Sequence, residues 1–362
     1  MIDARFAGRL GRFRLDAAFT APGQGVTALF GPSGCGKTSV LRCMAGLTRL
    51  THGHLTVNGE TWQDGRHFRR THRRPLGYVF QEASLFAHLS VRANLDYGRR
   101  RSAPADGQDI GFDEVVELLG IERLFDRPVA MLSGGERQRI AIGRALLSQP
   151  RLLLMDEPLS ALDRISKDEI LPYLERLHAR LSIPVIYVSH DLTEVERLAD
   201  TLILMEAGRV RAQGAIAGML ADPDLPLIGM PRPAAVIDGE VIGSDTEYGL
   251  THVQVPGGVV IVPGLLGAPG TRTRLRVPAS DVSLGRKPPS DTTILNALPA
   301  VILGAEPTKN HQVTVRLQLG ADGAGAPLLA GISRKSWDTL GFRPGETVVA
   351  RLKAVALDVP SA

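Results

Sequence analysis

The chain has 362 residues, a formal net charge of +4, 44% hydrophobic residues and 22% charged residues. That length predicts two or three domains with at least one large core, and the composition is that of an ordinary soluble globular protein. The small positive charge is well short of a nucleic-acid-binding signature. No run approaches the roughly 18 apolar residues that a bilayer span needs, and the start MIDARFAGRLGRFRL is broken by charges too often for a signal peptide.

Taken in chain order, the first part alternates short apolar runs with helical patterns. GVTALF (25–30), RLLLMDE (151–157), PVIYVSH (184–190) and TLILME (201–206) are almost continuously apolar, as parallel strands buried on both faces must be. DEVVELLGIERLF and RQRIAIGRALLS carry helical spacing between them. The expected fold is an α/β P-loop NTPase domain over 1–230, with a helical subdomain at roughly 85–150. The run DPDLPLIGMPRP (222–233) holds four prolines and reads as a linker. Beyond it, AAVIDGEVIG, GVVIVPG, RTRLRVP, HQVTVRLQLG and ETVVARLKAVALDV are short strands broken by Gly and Pro. They predict a small all-β, OB-like unit, divided into a linker and first β lobe (231–288) and a second β domain (289–358).

The chemistry begins at GPSGCGKT, spanning Gly31, Pro32, Ser33, Gly34, Cys35, Gly36, Lys37 and Thr38. It follows a strand and opens a helix, the context a phosphate-binding loop requires. Glycines there let backbone N–H groups face phosphate, and the helix start adds a favourable dipole. Lys37 is expected to reach the β- and γ-phosphates of ATP, and the Thr38 hydroxyl to ligate Mg²⁺. Asp156 and Glu157 close a buried strand at the carboxyl edge where α/β sheets bind ligands. One carboxylate suits the Mg²⁺ shell (Asp156) and the other the water that attacks (Glu157). His190 ends another strand at the same edge. In LSGGERQ, Ser133 and Glu136 form the S-x-x-E of a capping box, while Gly134 and Gly135 leave N–H groups bare for a second anion site. A second phosphate site in one chain makes sense if it serves the ATP of a partner copy in an isologous dimer. Cys35 and Cys43, the two cysteines, fit a reducing compartment.

Together, GPSGCGKT, VFQEASLF with Gln81, LSGGERQ, LLLMDEP, SALD with Asp163, and His190 resemble the ATP-binding subunits of ABC transporters in order and spacing. The resemblance implies ATP and Mg²⁺ as cofactors. It gives Gln81 a place beside Mg²⁺ and the γ-phosphate, and makes Ser133, Gly134, Gly135, Gln138 and Asp163 contacts to the partner's ATP. It also implies an early aromatic stacked on adenine, with Phe13 first and Phe6 and Phe19 as alternatives. Tandem cassettes and coiled-coil insertions, usual in soluble ABC ATPases acting on nucleic acid, are absent from the sequence, and so is a fused span. That combination implies an importer with separate membrane subunits.

The tail VPASDVSLGRKPPSDTTILNALPAVIL and the segment GISRKSWDTLGFRPGETVVARLKAVAL resemble the molybdate importer subunit with its C-terminal "mop" fold. This implies molybdate, or tungstate, as cargo, with sulfate or another solute as the alternative. The expected assembly is a homodimer at the cytoplasmic face of the inner membrane, beneath two copies of a permease fed by a periplasmic molybdate-binding protein. Thr293, Asn296, Ser333, Lys335 and Ser336 are the candidate oxyanion donors for feedback control. Leu295 and Pro299 stand where small mop proteins carry basic residues. The basic run RHFRRTHRR (66–74) reads as a solvated loop.

Overall fold

The computed structural model describes residues 1–100, 110–308, 311–354 and 357. Residues 101–109 of the expected helical subdomain, and 309–310, 355–356 and 358 of the expected second β domain, lie outside them. The chain forms two compact units, Met1–Gly214 and Ala215–Ala362.

In the first unit the strands are β1 (Ile2–Leu10), β2 (Phe13–Ala21), β3 (Gly25–Phe30), β4 (His52–Val57), β5 (Glu60–Gln63), β6 (Leu76–Val79), β7 (Leu152–Asp156), β8 (Pro184–Ser189), β9 (Thr201–Glu206) and β10 (Arg209–Ala215). The helices are α1 (Lys37–Ala45), α2 (Val91–Arg99), α3 (Phe112–Leu119), α4 (Gly134–Leu146), α5 (Arg164–Arg180) and α6 (Leu192–Leu198). The strands make one sheet in the order β5-β4-β1-β2-β10-β9-β3-β8-β7-β6. β9, β3, β8, β7 and β6 pair in parallel, while β1, β2, β4 and β5 pair antiparallel. All five residues of β7 and all six of β8 are buried, as the apolar runs require of strands covered on both faces.

Each element stops where its chemistry says it must. Helix α3 ends at Gly120, whose left-handed φ of 58° hands its N–H back to Glu117 and Val116. The capping box of α4 forms as expected: Ser133 Oγ accepts from Glu136 N at 3.2 Å, and Glu136 accepts from Ser133 N at 2.8 Å.

The basic run 66–74 is not wholly solvated. Arg74 is buried and donates to the carbonyls of Cys43 and Met44 at the end of α1, and to that of Arg69. Burial lowers its pKa to about 10. Its charge sits against the negative end of the α1 dipole, so this arginine is a brace for the helix that carries the phosphate loop.

The second unit starts with α7 (Ile216–Ala221), followed by β11 (Ala234–Asp245), β12 (Leu250–Val255), β13 (Gly258–Pro263), β14 (Arg272–Pro278), β15 (Val282–Gly285), β16 (Asn296–Pro307), β17 (Gln312–Leu319), β18 (Pro327–Ser333), α8 (Arg334–Leu340) and β19 (Thr347–Leu352). The division lies ahead of the proline-rich stretch because α7 packs on β11 and β18 and buries Ile216, Met219 and Leu220. The strands form two antiparallel sheets, β13-β12-β11-β14 and β15-β19-β16-β17-β18. They share one core that includes Ile237, Val253, Val262, Leu275, Ile302, Leu317 and Leu328.

Candidate functional site

The parallel registers bring four chain segments to one edge of the first unit's sheet. Phe30 lies beside Ser189, Asp156 beside Val188 and Val79 beside Met155. The phosphate loop, Glu157, His190 and the segment leading to Gln81 therefore leave the sheet side by side, at its carboxyl edge.

The loop's glycines are required by space as well as by φ. A Cβ on Gly31 would strike the Met205 carbonyl, and one on Gly36 (φ 106°) would lie 3.0 Å from the Phe13 ring. The Lys37 ammonium bonds the carbonyls of Gly31 and Pro32 at 2.8 and 3.0 Å and lies 4.0 Å from Glu157 Oε1. Cys35 is buried, and burial raises its pKa, so it fills space beneath the loop.

Thr38 Oγ1 donates to Asp156 Oδ1 at 2.8 Å, and Tyr78 OH donates to Asp156 Oδ2 at 3.0 Å. Burial raises the Asp156 pKa, against the opposing pull of those two hydrogen bonds. Nearby Glu157 adds to the rise, so the pocket has room for positive charge. A hydroxyl and a carboxylate at this spacing are the hard oxygen donors that Mg²⁺ takes, few in number because phosphate oxygens and water complete its shell. Among the described residues no group of three or more His, Cys, Asp or Glu could hold a metal ion by itself.

Glu157 adopts a left-handed φ of 47°, uncommon for a residue other than glycine. Its N–H bonds the Val188 carbonyl at 3.0 Å, and its carbonyl accepts from Ser160 N and Oγ. These bonds hold the strained turn and aim the side chain at His190, whose Nδ1 is 3.0 Å from Glu157 Oε2.

Of the aromatics, Phe6 and Phe19 are core residues at 1% and 4% exposure, so neither is free to stack on a base. Phe13 is half-buried beside Gly36, and of the three it alone borders the phosphate loop. Gln81 is exposed beyond β6.

Ser133, Gly134 and Gly135 start α4, and Asp163 caps α5 by accepting from Ser166 N at 2.9 Å. Gln138 departs from expectation. It is 3% exposed and its Nε2 faces the Phe80 carbonyl at 3.5 Å. On α4 its side chain turns to the buried face.

Sequence reasoning missed two groups of residues around the site. Tyr78 gave no signal, because strand residues are read for burial and its hydroxyl target is distant in sequence. The other group is Lys167, Asp191 and Glu194. Lys167 Nζ lies 3.1 Å from Asp191 Oδ2 and 2.7 Å from Glu194 Oε1, and Glu194 Oε2 accepts from Tyr187 OH and Ser189 Oγ, each at 2.8 Å. Asp191 caps α6 by accepting from Thr193 N at 3.0 Å, and nothing local in the sequence pointed to it or to Lys167.

In the second unit the oxyanion candidates are not gathered. Asn296 is 2% exposed, and its Oδ1 and Nδ2 bond Ile261 N and O at 2.7 and 2.8 Å. It occupies an inward position of the alternating strand, in line with Leu298, Ala300 and Ile302, and it clips β16 to β13. Ser333 pairs with Gln312, and Thr308 N bonds the Gln312 carbonyl, so Ser333 lies near the far end of β16 from Asn296. Ser333 Oγ caps α8 by accepting from Ser336 N at 3.0 Å, and Lys335 and Thr293 are exposed.

Residues 15–160 match the ABC transporter family and 292–359 match the TOBE domain. The chain is 72% identical over 361 residues to the molybdenum import ATP-binding protein ModC of Rhodobacter capsulatus, covering 100% of this chain and 99% of that one. It is 52% identical over 359 residues to molybdenum import ATP-binding protein ModC 1 of Azotobacter vinelandii, covering 98% of each. Among solved structures, cbiO1 from Clostridium perfringens, part of the ABC transporter complex cbiONQ, superposes with a TM-score of 0.51 at 26% identity, covering 59% of this chain and 88% of that one. Among the described residues no helix is long and apolar enough to cross a membrane.

Proposed function

This chain belongs to the molybdenum import ATP-binding proteins of the ABC transporter family, and from that membership we propose how its residues run the ATPase cycle. The chain is the ATP-hydrolysing subunit of a molybdate importer. The observation that carries the residue assignment is the convergence of Lys37, Thr38, Asp156, Glu157 and His190 within hydrogen-bond or ion-pair reach at one sheet edge.

In this reading the phosphate loop cradles ATP, Lys37 neutralises the β- and γ-phosphates, and Phe13 borders the base. Thr38, Asp156 and Gln81 would hold Mg²⁺, which supplies neutralisation of phosphate charge. Glu157 orients and deprotonates the attacking water. His190 holds the Glu157 carboxylate in place and lies where it meets the γ-phosphate. Phosphoryl transfer asks mainly for positioning and charge stabilisation, and the strained, doubly anchored turn at Glu157 serves that need. Ser133, Gly134, Gly135 and Asp163 would meet the ATP of a second copy, so the working unit is a homodimer under two permease subunits at the cytoplasmic face of the inner membrane. Tungstate shares the charge and shape of molybdate and would be carried too.

Feedback by oxyanion at the second unit would use Ser333, Lys335 and Ser336 at the start of α8, with Thr293 apart from them, rather than Asn296, whose amide is already bonded. Glu157→Gln tests the core reading. It should bind ATP with unchanged affinity and form nucleotide-bound dimers on a sizing column, with hydrolysis reduced about 10²- to 10⁴-fold, the usual worth of a general base. Normal turnover in that variant would refute the assignment.

A further inference from the structure

Lys167 links the start of α5 to the loop of His190 through charge. Its backbone N–H closes the first turn of α5 onto the Asp163 carbonyl at 3.0 Å. Its ammonium crosses to Asp191 and Glu194 at 3.1 and 2.7 Å. Those carboxylates flank and undergird His190. Asp191 follows it in sequence, and Asp191 N bonds Ser189 Oγ at 3.0 Å. Ser189 precedes His190, and its hydroxyl rests on Glu194. Both chain neighbours of His190 are therefore tied into one cluster, and Lys167 is the cation in it.

Two carboxylates share this cation in a poorly solvated position. Glu194 is 2% exposed, and a buried charge is tolerated only when paired and hydrogen-bonded. Glu194 meets that condition through Lys167, Tyr187 and Ser189 together. The cluster is thus rigid while Lys167 stays in place, and Lys167 moves with the start of α5. Displacing Asp163 displaces Lys167, and with it the support of the loop that aims His190 at Glu157.

We propose that Lys167 is a positioning residue that locks the orientation of His190 to the position of the Asp163 end of α5, so that contact made by one copy's Asp163 is felt at its own Glu157–His190 pair. The proposal rests on the ATPase reading above and adds a route between its two halves. Lys167 touches no nucleotide and no water that reacts; it acts through His190.

The test is a double-mutant cycle on the full-length chain. Lys167→Met should lower kcat about tenfold, within the usual range of coupling between sites. KM for ATP and the affinity for a fluorescent ATP analogue should stay within about twofold, because the phosphate loop is untouched. Lys167→Arg should restore at least about half of kcat, since a guanidinium reaches two carboxylates. In single-turnover assays in the His190→Ala background, Lys167→Met should have no further effect. An equal loss in both backgrounds, or wild-type kcat in Lys167→Met, overturns the proposal. If Lys167→Met shows no cooperative unfolding transition, Glu194→Gln is read in the same cycle with the same criteria, because it keeps the volume and an acceptor for Tyr187 and Ser189. Normal hydrolysis by Glu157→Gln would instead sink the underlying reading. A dead Glu157→Gln with a silent Lys167→Met sinks the coupling alone.

Discussion

The two units use polar side chains in opposite ways. At the sheet edge of the first, Lys37, Thr38, Asp156, Glu157 and His190 come from three separate segments and meet within hydrogen-bond or ion-pair reach of one another. In the second, Asn296 satisfies both amide atoms on the backbone of Ile261, which leaves them fixed and silent. The difference follows from sheet type. Parallel strands end together at one edge, and their following loops must gather there. Antiparallel strands return their loops to both ends, and an inward polar residue meets another strand's backbone instead of a ligand.

The comparison can be broken from the first side by Asp156→Asn. Hydrolysis should fall roughly 10²- to 10⁴-fold, because several kcal/mol of charge stabilisation at the phosphate is lost. The unfolding transition of the second unit should not move. A displaced second transition in calorimetry would show the two units to be less independent than their separate cores suggest.

Tyr78→Phe sharpens the same point at smaller scale. It removes the hydrogen bond that orients Asp156 Oδ2 and keeps the ring that stacks on Phe80 at 4.3 Å. Support of this kind for a metal ligand is usually worth about 10- to 100-fold in metal affinity. The half-saturating Mg²⁺ concentration for tight ATP binding should rise about tenfold, with Mg²⁺-free nucleotide binding unchanged. An unshifted Mg²⁺ titration would remove Tyr78 from the site.

Asn296→Leu is the reciprocal experiment. It strands the Ile261 N–H and carbonyl, and the cost is roughly 2–3 kcal/mol of second-unit stability. Basal hydrolysis should hold. Calorimetric titration of this variant with molybdate, tungstate and sulfate should match wild type if Asn296 is scaffold; loss of heat in the variant alone would return it to the list of oxyanion donors.

The smallest effect is a pH response confined to the first unit, which holds Cys43. Burial pushes the Cys43 thiol up to about 11, against the lesser pull of Arg74 and Arg42. A raised pKa in the folded state means that its stabilising contribution is complete below the unfolded thiol's pKa and is lost as pH rises through the folded value. The first unit should therefore lose roughly 2–3 kcal/mol between about pH 9 and 11. Cys43→Ala should flatten that limb. An equally steep limb in the variant would place the titration elsewhere.

Much of the first unit was legible because its signals are local. GVTALF is β3 residue for residue, and PVIYVSH and TLILME contain β8 and β9. The phosphate loop reads from glycine spacing alone, and the capping box at Ser133 from a four-residue pattern. In the second unit the strands were legible and the role of Asn296 was not. Its donors and acceptors looked available in sequence because Ile261 is 35 residues away. The inward alternation of Asn296, Leu298, Ala300 and Ile302 was the overlooked clue. The burial of Gln138 was not legible for the same reason: which helix face is covered depends on what packs there.

The sequence by itself determined the P-loop α/β class and the presence of a second β unit, and it marked Lys37, Thr38, Asp156, Glu157 and His190 as candidate site residues, which the fold brings to one sheet edge. Each of these rests on short-range pattern, where backbone geometry and burial are set within a few residues. Only the tertiary structure decided that Tyr78 braces Asp156, that Arg74 caps α1, that Lys167 joins α5 to the His190 loop, and that Asn296 is a clip between sheets. Those are through-space pairings between distant segments. Hydrogen bonds and ion pairs of a few ångströms depend on register and packing, which no local pattern encodes.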